Sequence, residues 1–224
     1  MGSVSSSRSS NFAKWTMEFE PIVQIYESKL WRQSPLVTAL TRISFEQEYE
    51  VISQAAELRG SEIMLDLACG TGIYSRPFAH QLNRGEVFGL DFSIPMLKYA
   101  SKQALKEGLK NIRLMRSDAM DLPFSGDSFD VVNCCGALHL FADVPHALSE
   151  ISRVLKLGGR FTFAAFRKRA NALAEHIVHL RQNVTGMDAF HPDELTLLLK
   201  QTGFQGVKCH HAKGIWLVMS ATKQ

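Results

Sequence analysis

The 224-residue sequence carries little net charge, few cysteines and no long hydrophobic run. Its 25 lysine and arginine residues exceed its 22 acidic residues by three, which is too small an excess to indicate a nucleic-acid-binding protein. The four cysteines do not form the evenly spread framework of a secreted domain, and this favours a reducing compartment. No stretch reaches the roughly 18 apolar residues that a membrane span needs. These absences predict a cytoplasmic protein with no membrane span and no nucleic-acid partner.

The hydrophobic fraction of 46% is sufficient for one buried core. Residues 1–10 are rich in serine and carry no information on the fold, whether they are native, a tag or a targeting remnant. Over residues 12–58, apolar residues recur at spacings of three and four, which predicts helices. We therefore expect a flexible N-terminus and helical cap over residues 1–60, followed by one structural unit over residues 61–224.

Beyond residue 60, short apolar runs alternate with amphipathic stretches, a pattern typical of βαβ units and a parallel sheet. Two final strand-like runs are joined by only three residues, too few for a parallel crossover. The sequence therefore predicts an α/β, Rossmann-like, seven-stranded and mostly parallel sheet with a C-terminal antiparallel hairpin and an N-terminal helical cap. The predicted strands are Ile63–Leu67, Val87–Leu90, Ile112–Met115, Phe129–Cys134, Arg160–Phe166, Val207–His211 and Ile215–Ala221. The predicted helices after the cap are Ile73–Leu82, Ile94–Glu107, Pro145–Leu155, Ala172–Gln182 and one from His191 to Gly203.

The first of these strands runs into a small-residue turn, Asp66-Leu67-Ala68-Cys69-Gly70-Thr71-Gly72. Gly70 and Gly72 lack the Cβ atom that would keep a ligand off the backbone, and the following helix offers free N–H groups. Asp91 ends the next strand, where a carboxylate can accept both hydroxyls of a ribose. Asp66 argues against a dinucleotide, since its charge would repel a pyrophosphate and attract the ammonium group of an amino acid.

Two further motifs follow the second and third strands, Asp91-Phe92-Ser93-Ile94-Pro95-Met96-Leu97 and Ser117-Asp118-Ala119-Met120-Asp121-Leu122-Pro123-Phe124. Together with the glycine turn, they resemble the class I S-adenosylmethionine-dependent methyltransferases, in the small-molecule group similar to the enzymes of ubiquinone and menaquinone biosynthesis (methyltransferase type 11). The resemblance covers residues 66–166 by motif and extends to the terminal hairpin. It implies S-adenosyl-L-methionine as cofactor, S-adenosyl-L-homocysteine as its product and a small-molecule methyl acceptor.

The same resemblance implies how the methionine and ribose parts of the cofactor are held. Asp66 and the backbone from Ala68 through Gly70 to Gly72 would hold the methionine part, and Asp91 would take the ribose hydroxyls. Cys134, at the end of the fourth strand, would line the sulfonium end. Many relatives have glycine at position 68, so the alanine there is expected to tighten the loop without loss of binding.

For the adenine, the resemblance implies that Phe92 and Met96 pack against the ring. Asp118 would accept a hydrogen bond from the amino group, and Ala119 would donate its backbone N–H to the ring. Each residue alone also has an ordinary structural interpretation, since an aspartate can cap a turn and a methionine can fill a core.

His139 follows the fourth strand, at the sheet edge where open α/β sheets bind ligands, and is the candidate general base. The alternative is a loop histidine that only packs or caps. A sulfonium methyl group is already activated, so positioning alone supplies about 7–11 kcal/mol of the barrier, and an ionised acceptor needs no base. His176 and His179 lie on a predicted helix without a cysteine or acid at ligand spacing, so no metal is expected.

The acceptor, its reacting atom and the choice between monomer and homodimer stay open. Quinone-ring C-methyltransferases carry Arg-Asn where this chain has His139-Leu140, which favours another acceptor. The alternatives are a quinone-ring C-methyltransferase, a non-catalytic S-adenosylmethionine-binding protein and, less favoured, an NAD-dependent dehydrogenase. Base methyltransferases for nucleic acids are disfavoured because Asn133 is not followed by an Asn-Pro-Pro-Tyr-like motif. Four aromatic residues would either wall the acceptor pocket or form the buried stripe of the cap: Trp15, Phe19, Tyr26 and Trp31.

Overall fold

The computed structural model describes residues 34–168 and 188–224. The aromatic residues of the cap and the predicted helix at Ala172–Gln182, with His176 and His179, lie outside the described residues. The described helices are α1 (Pro35–Thr41), α2 (Phe45–Ala56), α3 (Ser75–Gln81), α4 (Ile94–Lys106), α5 (Val144–Val154) and α6 (Pro192–Gln201). The described strands are β1 (Ile63–Leu67), β2 (Glu86–Asp91), β3 (Ile112–Arg116), β4 (Phe129–Cys135), β5 (Leu155–Phe166), β6 (Phe204–Lys213) and β7 (Trp216–Lys223).

The strands form one seven-stranded sheet in the order β3-β2-β1-β4-β5-β7-β6. Strands β1 to β5 pair in parallel, whereas β7 pairs antiparallel with both β5 and β6. The predicted fold class is therefore confirmed, including the hairpin at the C-terminal end of the chain. The division into a cap and one structural unit at residue 60 stays a prediction.

Local sequence signals place most helix ends. Ser44 caps α2 through a reciprocal capping box with Gln47, and Ser93 caps α4 by accepting from the Met96 N–H. Most bounds differ from the prediction by one to three residues, and the start of β5 differs by more. Helix α2 ends at Ala56 because Glu57 adopts a left-handed φ of 50°, and β5 begins at Leu155 rather than five residues later, with an irregularity in its pairing to β4.

Apolar side chains pack on both faces of the sheet. On one face, Leu148 and Ile151 of α5 join Leu195 of α6 against the strands. On the other face, Ile52 of α2 and Phe78 of α3 are fully buried. Each large side chain buried in this way contributes about 1.5–3 kcal/mol relative to an exposed one. These two layers leave the loops after the parallel strands at one edge of the sheet, the edge at which open α/β sheets bind ligands.

Candidate functional site

The glycine turn between β1 and α3 contains three residues with left-handed backbone conformations, Ala68 (φ 55°), Gly70 (φ 54°) and Gly72 (φ 75°). A Cβ at Gly72 would lie 3.2 Å from Cβ of Ala100, so this glycine allows α4 to pack closely. A Cβ at Gly70 would meet no atom within 4 Å. The conformation at Ala68 is one that an L-residue with a side chain adopts at a cost of about 1–2 kcal/mol.

Asp91, at the end of β2, is tied to the glycine turn. Its Oδ2 accepts from the Gly70 N–H at 2.8 Å, and its Oδ1 accepts from the Ser93 N–H at 2.8 Å. Burial raises the pKa of Asp91, while these backbone hydrogen bonds lower it. A carboxylate accepts about four hydrogen bonds in all, so the anchored Asp91 retains capacity for further donors.

A largely apolar cleft opens beside Asp91 at the C-terminal edge of the sheet. Five of the predicted cofactor residues line it together: Ala68, Asp91, Phe92, Asp118 and Ala119. One oxygen of Asp118 accepts from the Met120 N–H at 3.0 Å, so this aspartate also caps its own turn. The sequence prediction did not include Leu140, Phe141 and Ala142, which also line the cleft. The signal available in the sequence was their position directly after His139.

Five predicted cofactor residues do not line this cleft: Asp66, Gly70, Gly72, Met96 and Cys134. Met96 is 2% exposed and Cys134 is fully buried, and neither lines the cleft. Burial is also the main cause of the raised pKa of the Cys134 thiol. Cys134 belongs to the hydrophobic cluster that also contains Leu148 and Ile151 of α5.

Asp66 lies beneath the glycine turn and not on the cleft wall. Ser75, at the start of α3, donates its hydroxyl to Oδ2 of Asp66, and the Asn133 amide donates to Oδ1 at 2.7 Å. Burial raises the pKa of Asp66 to about 6, against the lowering effect of these two hydrogen bonds. Both carboxylate oxygens thus have protein donors, and Asp66 is 2% exposed. The contact between Asp66 and an ammonium group that the sequence suggests stays a prediction.

His139 lies in a 3-10 turn at Leu138–Leu140, directly after β4. The side chain is 4% exposed, and its ring centroid lies 4.2 Å from that of Phe166 and 6.2 Å from that of Trp216. It is not among the residues that line the cleft beside Asp91. The structure thus places the candidate base in a buried aromatic setting and not on the wall of the cleft.

In the described ranges, 34–168 and 188–224, no group of three or more potential metal ligands comes together. Over the same ranges, no helix is both long and apolar enough to cross a bilayer.

Residues 64–159 match the family described as "Methyltransferase domain". The uncharacterized methyltransferase YcgJ of Bacillus subtilis is 33% identical over 137 residues, which cover 61% of this chain and 53% of that protein. Demethylmenaquinone methyltransferase of Lactiplantibacillus plantarum is 44% identical over 99 residues, which cover 43% of this chain and 42% of that protein. This chain therefore spans about half the length of the curated relatives that it matches.

Among solved structures, phosphoethanolamine N-methyltransferase 2 of Haemonchus contortus in complex with S-adenosyl-L-methionine matches with a TM-score of 0.73. The match covers 99% of this chain and 60% of that one at 18% sequence identity, a level that bears on the fold alone. The matched domain, the curated relatives and the shared fold agree with the glycine turn and the order of the strands. Residues 64–159 therefore match a methyltransferase domain, and the described fold is that of S-adenosylmethionine-dependent methyltransferases of known structure.

Proposed function

We propose that this protein transfers the methyl group of S-adenosyl-L-methionine to a small-molecule acceptor. The observation that carries the proposal is the anchored carboxylate of Asp91, held by Gly70 and Ser93 at the wall of an apolar cleft. A carboxylate next to an apolar surface suits an adenosine, because the carboxylate can bind the ribose hydroxyls and the apolar surface can pack against the adenine. The match of residues 64–159 to a methyltransferase domain supports the choice of cofactor.

The residues present fit this cofactor. Gly70 leaves room for a ligand to approach the backbone, and Asp91 has acceptor capacity for the ribose hydroxyls. Phe92 and Ala119 offer apolar surface for the adenine, and the free oxygen of Asp118 is the proposed acceptor for the adenine amino group. Ala68 and Gly72 shape the turn that would hold the methionine part, with Asp66 beneath it. Met96 and Cys134, which are buried and do not line the cleft, would contribute to the site only through packing in the core.

When bound, the cofactor supplies a methyl group that is already activated by the sulfonium. The protein's own contribution is then to orient the two reactants in line and to exclude water, which accounts for about 7–11 kcal/mol of the barrier. For an acceptor that must lose a proton, we propose His139 as the base, since it follows β4 at the edge of the sheet, although its buried ring does not line the cleft beside Asp91. Proton abstraction by a positioned base contributes about 100- to 10,000-fold to the rate.

Calorimetry with the full chain tests the cofactor assignment. We expect binding of S-adenosyl-L-methionine and S-adenosyl-L-homocysteine, and no binding of NAD at the same concentration. The NAD arm separates the proposal from a dehydrogenase, which would share the glycine turn and the acid at the end of β2. Absence of binding by both adenosyl ligands at millimolar concentration would overturn the assignment.

The acceptor class can be tested with a mixture of candidate substrates. The protein is incubated with a methyl-deuterated donor and a metabolite extract, and the products are identified by mass spectrometry. A product heavier by one labelled methyl group is the expected result. Cofactor binding without any labelled product would favour the non-catalytic alternative.

A quinone ring is the second candidate acceptor. It is supported by the 44% identity to a demethylmenaquinone methyltransferase, over less than half of either chain. Against it stands His139-Leu140, at the place where quinone-ring enzymes typically have Arg-Asn. A water-soluble demethylquinone, included as a defined substrate in the labelling experiment, decides between the two: ring methylation would favour the quinone as acceptor.

A further inference from the structure

Three buried side chains lie side by side on adjacent strands beneath the glycine turn. Asp66 of β1 is opposite Asn133 of β4, and Asn133 is opposite Thr162 of β5. Asn133 and Thr162 are fully buried, and Asp66 is 2% exposed. The Asn133 Nδ2 donates to Asp66 Oδ1 at 2.7 Å, and the Thr162 hydroxyl donates to Asn133 Oδ1 at 3.0 Å. We call Asp66, Asn133 and Thr162 the polar row.

The chemistry of the polar row fixes the orientation of the central amide. An ionised carboxylate only accepts hydrogen bonds, so Asn133 must turn its Nδ2 towards Asp66 and its Oδ1 away. That oxygen accepts from Thr162 and also from the Cys135 thiol at 3.1 Å. A reversed amide would set oxygen against oxygen at Asp66 and lose both donors on the other side. In a buried setting such an unmatched polar group is costly.

The other oxygen of Asp66 links this row to the glycine turn. It accepts from Ser75, so the carboxylate joins the strand before the turn to the helix after it. The orientation of Asp66 therefore determines how the two ends of the turn are held. That turn is the backbone at which the methionine part of the cofactor is proposed to bind.

We propose that Asn133 is a positioning residue for cofactor binding, which holds the ionised Asp66 under the glycine turn, and that Thr162 sets the orientation of the Asn133 amide. The inference rests on the proposed function for its purpose, although the hydrogen bonds stand without it. Neither Asn133 nor Thr162 lines the cleft, so both act through Asp66.

The titration of Asp66 gives a readout that a purely structural role would not move. The Asn133 hydrogen bond is among the interactions that lower the pKa of Asp66, whereas burial and the nearby charge of Asp91 raise it. Loss of the amide donor therefore raises the pKa of Asp66 further. The other titratable groups around Asp66 are the thiols of Cys69 and Cys134, on which the Asp66 charge itself acts.

The first arm of the test uses ligand-free protein. Carbon-13 NMR follows the Asp66 carboxyl titration in the wild type, Asn133→Leu and Thr162→Val. We expect an upward shift of about one pH unit in Asn133→Leu, the loss of one hydrogen bond to a charged group, and a smaller shift of the same sign in Thr162→Val. Ser220→Ala is the matched control, because Ser220 lies opposite Thr162 on β7 but bonds to His210 at 2.8 Å; it should leave the titration unchanged.

The second arm measures the affinity for S-adenosyl-L-homocysteine by calorimetry. We expect Asn133→Leu to weaken binding about tenfold at pH 6.5, with a smaller deficit at pH 8.5, where Asp66 is ionised in both proteins. The double variant Asn133→Leu/Thr162→Val should lose no more affinity than Asn133→Leu alone, since both changes act on the same amide. The isosteric Thr162→Val keeps the test valid if Asn133→Leu does not fold.

The outcomes separate the two proposals. A wild type that binds no adenosyl ligand overturns the proposed function, and the carboxyl titration then still decides whether Asn133 controls Asp66. An unchanged titration in both variants overturns the positioning role. A shifted titration with unchanged affinity overturns its link to cofactor binding.

Discussion

Gly70 donates its backbone N–H to Oδ2 of Asp91 at 2.8 Å, which ties the turn after β1 to the carboxylate that ends β2. The same carboxylate accepts from Ser93 through its other oxygen. Asp91 is therefore held in one orientation by two backbone donors from separate loops. Preorganisation of this kind lowers the entropic cost of binding a ligand at the cleft.

Replacing Asp91 with asparagine should weaken the binding of S-adenosyl-L-homocysteine. The carboxamide offers one acceptor oxygen where the carboxylate offers two, so a backbone donor and the ribose hydroxyls compete for it. A loss of about 10- to 100-fold in affinity is expected from hydrogen bonds to a charged acceptor. Calorimetry measures it, and Glu86→Gln at the far end of β2, where the carboxylate pairs with the exposed Arg113, is the matched control. Equal affinities in the two variants would contradict the role of Asp91.

Ala68→Gly should stabilise the protein. At φ 55° the alanine side chain is strained, and glycine adopts this conformation freely. After the greater backbone entropy of glycine in the unfolded chain is allowed for, a gain of about 0.5–1 kcal/mol in the free energy of unfolding remains. Urea denaturation measures it. The control is Ala104→Gly within α4, which should lose about 1 kcal/mol; a loss at both positions would show that Ala68 is not strained.

Asp66→Asn should stabilise the protein more at pH 7.5 than at pH 5. Burial raises the pKa of Asp66 from 3.8 to about 6 in the folded state, so the folded wild type binds the proton more tightly than the unfolded chain. Wild-type stability therefore falls as the pH rises towards and through 6, whereas an asparagine has no such dependence. The difference between variant and wild type should grow by about 1–2 kcal/mol between the two pH values. Denaturant unfolding at both pH values checks this, and a constant difference would contradict it.

Two substitutions at His139 separate a base from a packing residue. The ring lies 4.2 Å from Phe166, so His139→Phe retains aromatic contact without a titrating group, and His139→Ala removes both. If His139 is the base, both variants lose about 100-fold or more in rate together with the acid limb of the pH–rate profile. Turnover of the acceptor found by deuterium labelling measures this. Full activity in His139→Phe, with a loss only in His139→Ala, would assign the histidine to packing.

Much of the fold could be predicted because the signals are local. The strand prediction at Ile63–Leu67 agrees with the structure, since a largely apolar run suits a strand that is covered on both faces. The prediction at Ile112–Met115 agrees to within one residue, although β3 lies at the edge of the sheet and is only partly buried. The hairpin follows from a connection of three residues. The predicted start of β5, at Arg160, is too late because the pairing of β5 with β4 is irregular near its beginning, and local composition carries no sign of that.

The candidate site was predictable where a residue lies at or just after the end of a strand and lines the cleft, as Asp91 does at the end of β2 and Ala119 does in the loop after β3. The site was not predictable where burial determines whether a side chain lines the cleft or lies in the core. Cys134 and Met96 lie next to motif residues in the sequence, yet the packing of the sheet and of α4 turns them into the core. The contact between Asn133 and Asp66 could not be predicted, because the two residues are 67 positions apart in the chain. From the sequence alone, Asn133 argues only against the nucleic-acid methyltransferases.

The sequence by itself determined the order of strands and helices, the glycine turn and the acids at the strand ends, because hydrophobic period and turn chemistry act over a few neighbouring residues. Only the tertiary structure decided that Asp66 is buried between Ser75 and Asn133 and that His139 packs against Phe166. Those contacts depend on strand register and on how helices cover the sheet. They arise from the side chains of distant segments, brought to within hydrogen-bonding distance when the whole core forms.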